Sequence, residues 1–195
     1  MAPVVYLVSG ANRGIGLGIV AALVARDDVA VFAGVRDLSS ADALKDLGAQ
    51  HPGKLHVVQL VSADKPNNER AISEIKDKHR GSHIISSIAG SIARGTEVPL
   101  GFLPYGMSNA AVNYLSKRLH VEYASDGLVS FSIAPGPVMT DLFTGAGALI
   151  DSKSVSPDVL SADEVGRRIA KLVEEAKRDD AGGQFLDHSG KKCQW

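Results

Sequence analysis

The residues most ready to do chemistry stand near the start of the chain. Val4 to Val8 reads as a buried strand, and Ser9-Gly10-Ala11-Asn12-Arg13-Gly14-Ile15-Gly16 follows it directly, opening into an apolar helical segment. Glycines let a backbone turn tightly and approach a ligand closely. The helix start then offers free N–H groups and its positive dipole end to a pyrophosphate. Strand, Gly-x-x-x-Gly-x-Gly turn and helix, in that order, predict a dinucleotide site built from Gly10, Asn12, Arg13, Gly14, Ile15 and Gly16. The end of the second strand, Phe32-Ala33-Gly34-Val35-Arg36-Asp37, decides which dinucleotide. A carboxylate there holds a ribose 2′-hydroxyl, whereas an arginine accepts a 2′-phosphate. Arg36 and Arg13 both offer a guanidinium that pairs bidentately with phosphate, so NADP is the expected cofactor. Asp37 is the rival, because a shift of one position would turn its carboxylate to the ribose.

The elements that must position these residues alternate from end to end. Strand-like runs at Val4 to Val8, Val29 to Val35, Leu55 to Val61, Ile84 to Ser87, Leu128 to Ala134 and Gln184 to Leu186 are separated by helical patterns. The helices fall at Ile15 to Ala25, Ala41 to Leu47, Asn67 to His79, Tyr105 to Tyr123 and Ala162 to Ala176. Val155 to Pro157 reads as a loop. Ser161 begins a Ser-Ala-Asp-Glu capping box, and Val112, Leu115 and Leu119 form the expected buried stripe of the long helix, with Lys117 and Arg118 at the surface. This order predicts one α/β domain over residues 1–195, a doubly wound Rossmann-type parallel sheet of six or seven strands.

Composition narrows the partners. The 195 residues are 45% hydrophobic and 22% charged, with a net charge of −1, enough for one sizeable core. The basic residues are scattered, which argues against nucleic acid and anionic membranes. No apolar stretch approaches membrane-spanning length, and a cytoplasmic protein acting on a small molecule is expected. One cysteine, Cys193, allows no intrachain disulfide, and the six histidines show no metal-ligand spacing, so no metal is expected.

Three further segments carry a resemblance. Ser86-Ser87-Ile88-Ala89-Gly90, Tyr105-Gly106-Met107-Ser108-Asn109 and Pro135-Gly136-Pro137-Val138-Met139-Thr140, taken with the glycine turn, resemble the classical short-chain dehydrogenase/reductase family. The stretch Gly183 to Gly190 adds a likeness to its fungal norsolorinic acid ketoreductase-like members. The resemblance implies that Ser87 holds a carbonyl oxygen and Tyr105 donates the proton while hydride arrives from the nicotinamide. It also implies that Val138 and Thr140 belong to the loop closing over that ring, and that Asn109 touches the cofactor ribose.

The chain departs from the family at three places. Asn109 stands where the family has a lysine, and a neighbouring cation typically stabilises a phenolate by about 1.4 to 4 kcal/mol. Between His79 and Ile84 the family has another strand, with an Asn-Ala-Gly segment, and a helix bearing a catalytic asparagine. Only Arg80 to His83 stand there in this chain. Val61 replaces an adenine-contacting aspartate. The expected fold is therefore truncated by one strand and helix. The expected function is NADP(H)-dependent reduction of an aromatic or polyketide-like carbonyl, impaired to an unspecified degree. A non-catalytic NADP-binding protein or partner subunit, and a dehydratase or isomerase using Tyr105, stay open, as does a homo-oligomer.

Overall fold

The computed structural model describes residues 3–75, 81–97, 103–141 and 159–195. The chain divides into two compact units, residues 1–79 with 161–170, and residues 80–160 with 171–195.

The first unit is a parallel three-stranded sheet in the order β1-β2-β3, comprising β1 (Val4–Ser9), β2 (Val29–Val35) and β3 (Leu55–Gln59). Apolar, β-branched runs suit strands covered on both faces. Val20, Val24, Val31, Ala33, Val35 and Leu44 are buried to the last atom. They belong to β2 and to α1 (Gly14–Val24) and α2 (Asp42–Gln50), whose apolar sides cover the sheet. The start of α5 (Ala162–Glu175) crosses α1 at two glycines. A Cβ on Gly166 would lie 2.2 Å from the Gly18 carbonyl carbon, so the helices meet backbone to backbone. The Ser161 hydroxyl accepts from the Glu164 N–H at 3.1 Å, as the capping pattern predicts. The Glu164 carboxylate turns to Arg167 and Arg168, which hold its pKa below the ordinary value. Helix α3 (Lys65–Glu74) starts at Asp64, whose carboxylate accepts from the Asn67 N–H.

The second unit holds another parallel sheet, β4-β5-β8, made of β4 (Gly81–Ile85), β5 (Val129–Ala134) and β8 (Phe185–Asp187). A short pair, β6 (Val138–Met139) and β7 (Leu160–Ser161), follows β5. The long helix α4 (Leu103–Glu122) packs on β5 and on the 3-10 turn Ile88–Gly90. Its C-terminal end is clasped by Arg178, which donates to the His120 carbonyl at 2.9 Å and to the Leu128 carbonyl. A cation suits the negative end of a helix.

Several expectations change, and β3 ends at Gln59 rather than Val61. Strand β4 begins at Gly81, β8 is shifted one residue to Phe185–Asp187, and α3 ends at Glu74. The loop expected at Val155 to Pro157 lies outside the described residues. The long helix also turns the other way about its axis. Asn109, Asn113 and Ser116 are buried, Leu115 is 50% exposed, and Val112 and Leu119 are half-buried. Close approach explains this. A Cβ on Gly90 would lie 2.7 Å from the Asn109 Cβ, so the inner face of α4 has room for short polar side chains and not for leucine. Asn113 donates to the Gly90 carbonyl at 3.3 Å, and the Ser116 and Ser130 hydroxyls meet at 3.2 Å. Lys117 and Arg118 are exposed as expected.

Among the described residues the parallel ladders total six strands, in two sheets of three. In the doubly wound order 3-2-1-4-5-6, the fourth strand links the first to the fifth. Among the described residues the ladders run β1-β2-β3 and β4-β5-β8. Strand β1, whose sequence suits a sheet centre, is the last strand of its ladder and is exposed to 46% at Val4.

Candidate functional site

In the first unit, Gly10 and Gly14 adopt left-handed backbone, with φ of +64° and +54°. A Cβ on Gly16 would stand 2.3 Å from the Gly10 carbonyl oxygen, so the turn folds against its helix only with glycine there. Arg13 precedes α1 with extended backbone and gives no side-chain cap, and the first turn carries no acidic residue. The N–H groups of this helix start, at Gly14, Ile15 and Gly16, are thus left uncapped by side chains. Asn12 donates to the Ser40 hydroxyl at 3.2 Å and the Ala11 N–H to the Gly34 carbonyl at 3.1 Å, fixing the turn to the end of β2.

The register Ser9↔Gly34 brings the glycine turn beside Val35 and Arg36. Arg13 and Arg36 are both exposed. Asp37 is engaged elsewhere. Its carboxylate accepts from the Ser39 N–H at 2.9 Å, and this bond, with the Ser39 side chain, holds its pKa below the usual carboxylate value. After β3, the Val61 N–H donates to the Asn67 side-chain oxygen at 2.8 Å, and Ala63 sits at φ +63°.

In the second unit, the carboxyl end of β4 delivers Ser86 and Ser87. Ser86 is buried and its hydroxyl donates to the Asn109 carbonyl at 3.4 Å. Ser87 is half-buried and its hydroxyl caps the following turn by accepting from the Ala89 N–H at 3.2 Å. That turn is in contact with the start of α4, because a Cβ on Gly106 would lie 3.0 Å from the Ala89 carbonyl oxygen. Tyr105, in the first turn of α4, is 41% exposed. The Asn109 side-chain nitrogen donates 2.8 Å to the Tyr105 backbone carbonyl, one helical turn back. Val138 is buried in β6 and Thr140 half-buried just after it.

One residue escaped the sequence reading. The ring of His188 approaches Gly136, with its Cδ2 3.5 Å and its Nε2 3.8 Å from where a Cβ on that glycine would lie. The signal was a histidine inside the quoted stretch Gly183 to Gly190, but only the pairing Ala134↔Asp187 sets it beside the Pro-Gly-Pro loop. The Asp187 carboxylate accepts from the Ser189 N–H, the Ser189 hydroxyl and the Lys191 N–H at 2.8, 2.6 and 3.0 Å. Burial pushes its pKa upward, but these bonds and the neighbouring His188 outweigh burial and leave it lowered.

No family model matches the chain. It is 28% identical to a norsolorinic acid ketoreductase of Dothistroma septosporum, over 97% of this chain and 92% of the relative. It is 26% identical to an uncharacterized oxidoreductase of Schizosaccharomyces pombe, over 97% and 96%. The first of these alignments runs over 251 residues against the 195 of this chain, so part of the relative has no counterpart here. Among solved structures, the NADPH-bound carbonyl reductase from chicken fatty liver matches with a TM-score of 0.82 and 24% identity, covering all of both chains. A short-chain dehydrogenase/reductase from Burkholderia multivorans with bound NADP matches at 0.79 and 22%, covering 99% of this chain and all of the other. Glycine turn, parallel ladders and the order of the motifs agree with these likenesses: the chain shares the fold of the solved short-chain dehydrogenase/reductase and carbonyl reductase, and its sequence is similar to the ketoreductase and oxidoreductase named above.

Proposed function

We propose that this chain binds NADP(H) and reduces the carbonyl of a small aromatic or polyketide-like substrate, as one domain in the cytoplasm. The carrying observation is the glycine turn, where the Gly16 backbone has room to pass the Gly10 carbonyl only without a Cβ, ahead of an uncapped helix start. Gly10, Asn12, Gly14, Ile15 and Gly16 would cradle the pyrophosphate, and Arg13 and Arg36 the 2′-phosphate. Asp37, occupied by Ser39, is a poor competitor for the ribose. When bound, the cofactor supplies hydride to the carbonyl carbon.

The chain's own residues answer the charge that grows on oxygen. Ser87 would hold that oxygen and the Tyr105 phenol would give it a proton. Asn109, in the family's lysine position, offers no charge, and its amide is already bonded to the Tyr105 carbonyl. Turnover is therefore impaired relative to intact family members. Val138 and Thr140 would line the nicotinamide side. Self-association belongs to the same reading, supported by the outward apolar residues of α4, among them Leu103, Met107 and Tyr114.

Titration of NADPH and NADH into the purified protein tests the cofactor assignment. NADPH is expected to bind more tightly, and Arg36→Ala to weaken it by about tenfold, the worth of one charge-assisted hydrogen bond. Equal affinities, or tighter NADH binding that survives Arg36→Ala, return the ribose to Asp37. The bonded Asn109 amide favours a second reading, a non-catalytic NADP-binding protein. Tight NADPH binding without NADPH consumption on any aromatic ketone would select it.

A further inference from the structure

The carboxyl ends of β4, β5 and β8 present three segments side by side: Ser86-Ser87, the Pro135-Gly136-Pro137 loop, and His188. Ligands of parallel α/β sheets bind beyond the carboxyl ends of the strands. His188 is one residue past the Ala134↔Asp187 pair, half-buried, with its ring facing Gly136. Gly136 has φ +76° between two prolines, so the loop is stiff and has no side chain to push the imidazole away. The turn that carries His188 is equally fixed. Asp187 accepts three hydrogen bonds from Ser189 and Lys191, its carbonyl accepts from the Gly190 N–H, and Leu186 bridges to Lys192. A polar, two-nitrogen ring is thereby held at the edge where Ser87 and the start of α4 also stand.

We infer that His188 is a specificity-determining residue, hydrogen-bonding a second oxygen of an aromatic ketone substrate, such as a ring hydroxyl, while the reacting carbonyl lies toward Ser87 and Tyr105. The inference rests on the carbonyl reductase reading above. Imidazole suits the task because one ring nitrogen donates and the other accepts, so it can serve a hydroxyl in either direction. A site built to hydrogen-bond a substrate hydroxyl discriminates against the analogue without one.

The experiment measures binding rather than turnover. Equilibrium dialysis of the NADPH-loaded full chain compares 1-tetralone with its ring-hydroxylated derivatives, for the wild type, His188→Leu and His188→Gln. Thermal melts verify that each variant folds. The wild type is expected to prefer at least one hydroxylated tetralone by about tenfold. That ratio should fall to near one in His188→Leu and be largely kept in His188→Gln, a rescue that a merely packing role would not produce. An unchanged ratio in His188→Leu overturns the inference and leaves the ketone reading standing. Loss of the ratio in both variants overturns it in favour of packing. No binding of any tetralone to the wild type overturns both readings together.

Discussion

At the scale of single residues, this chain shows how a side chain's local bond decides its availability. Asp37 stands where a ribose-binding carboxylate would be dangerous to the NADP reading, yet Ser39 engages it. Asn109 is buried, 8% exposed, and its amide is bonded to the carbonyl of Tyr105. Replacing it with lysine supplies a cation worth at most about 1.4 to 4 kcal/mol to a phenolate. The new side chain must, however, leave a crevice where Gly90 already approaches the helix at contact distance. Asn109→Lys is therefore expected to raise NADPH consumption less than about tenfold, measured on a panel of aromatic ketones. Rapid NADPH consumption from this one change alone would overturn the proposal that turnover is limited by more than the absent cation. A separate residue, Ala63, holds φ +63° in the turn after β3. The left-handed region costs a residue with a Cβ about 1 kcal/mol, so Ala63→Gly should raise stability by about that amount in urea unfolding.

At the scale of elements, β4 and β5 join over a histidine. The His83 ring packs at a tilt against Phe131 with centroids 4.3 Å apart, its Nδ1 is buried without a hydrogen-bond partner among the described residues, and burial lowers its pKa from 6.5 to about 4. The folded state thus binds this proton less readily than the unfolded state. Stability from this group is complete above about pH 6.5 and falls as acid titrates the unfolded chain, reaching a loss of about 2 kcal/mol at pH 5 and about 3 kcal/mol below pH 4. His83→Leu should flatten that acid limb when urea midpoints are compared at pH 7.5 and pH 5. A limb of the same steepness would place the titrating group elsewhere. Helix α4 carries the opposite lesson about burial, with three short polar residues inward and Leu115 outward, because Gly90 and Ser130 set the space on its inner side.

At the scale of the whole molecule, the chain is shorter than the 251-residue alignment with its ketoreductase relative. The described residues form two parallel ladders of three strands, with β1 and β4 each at a ladder end. Cofactor binding to the folded chain alone should stabilise it. NADPH at a hundred times its Kd contributes about 2.7 kcal/mol, a rise in Tm on the order of 5 to 10 °C for a chain of this length. NADH at the same concentration should give a smaller rise. A melting curve indifferent to NADPH would remove the ground for the proposed function.

The sequence by itself determined what depends on short stretches of chain. Strand, glycine turn and helix at residues 4–24, the Ser161 cap and the succession of parallel strands were all legible, because each is written in local periodicity, in residues with special backbone freedom, or in motif order. Tertiary structure decided what depends on neighbours distant in sequence. Which face of α4 is buried followed from the approach of Gly90, and the engagement of Asn109 from the carbonyl it meets. The place of His188 followed from the register of β8 on β5. Periodicity specifies that a helix has an apolar stripe, but the volume left by the element opposite decides whether that stripe turns inward.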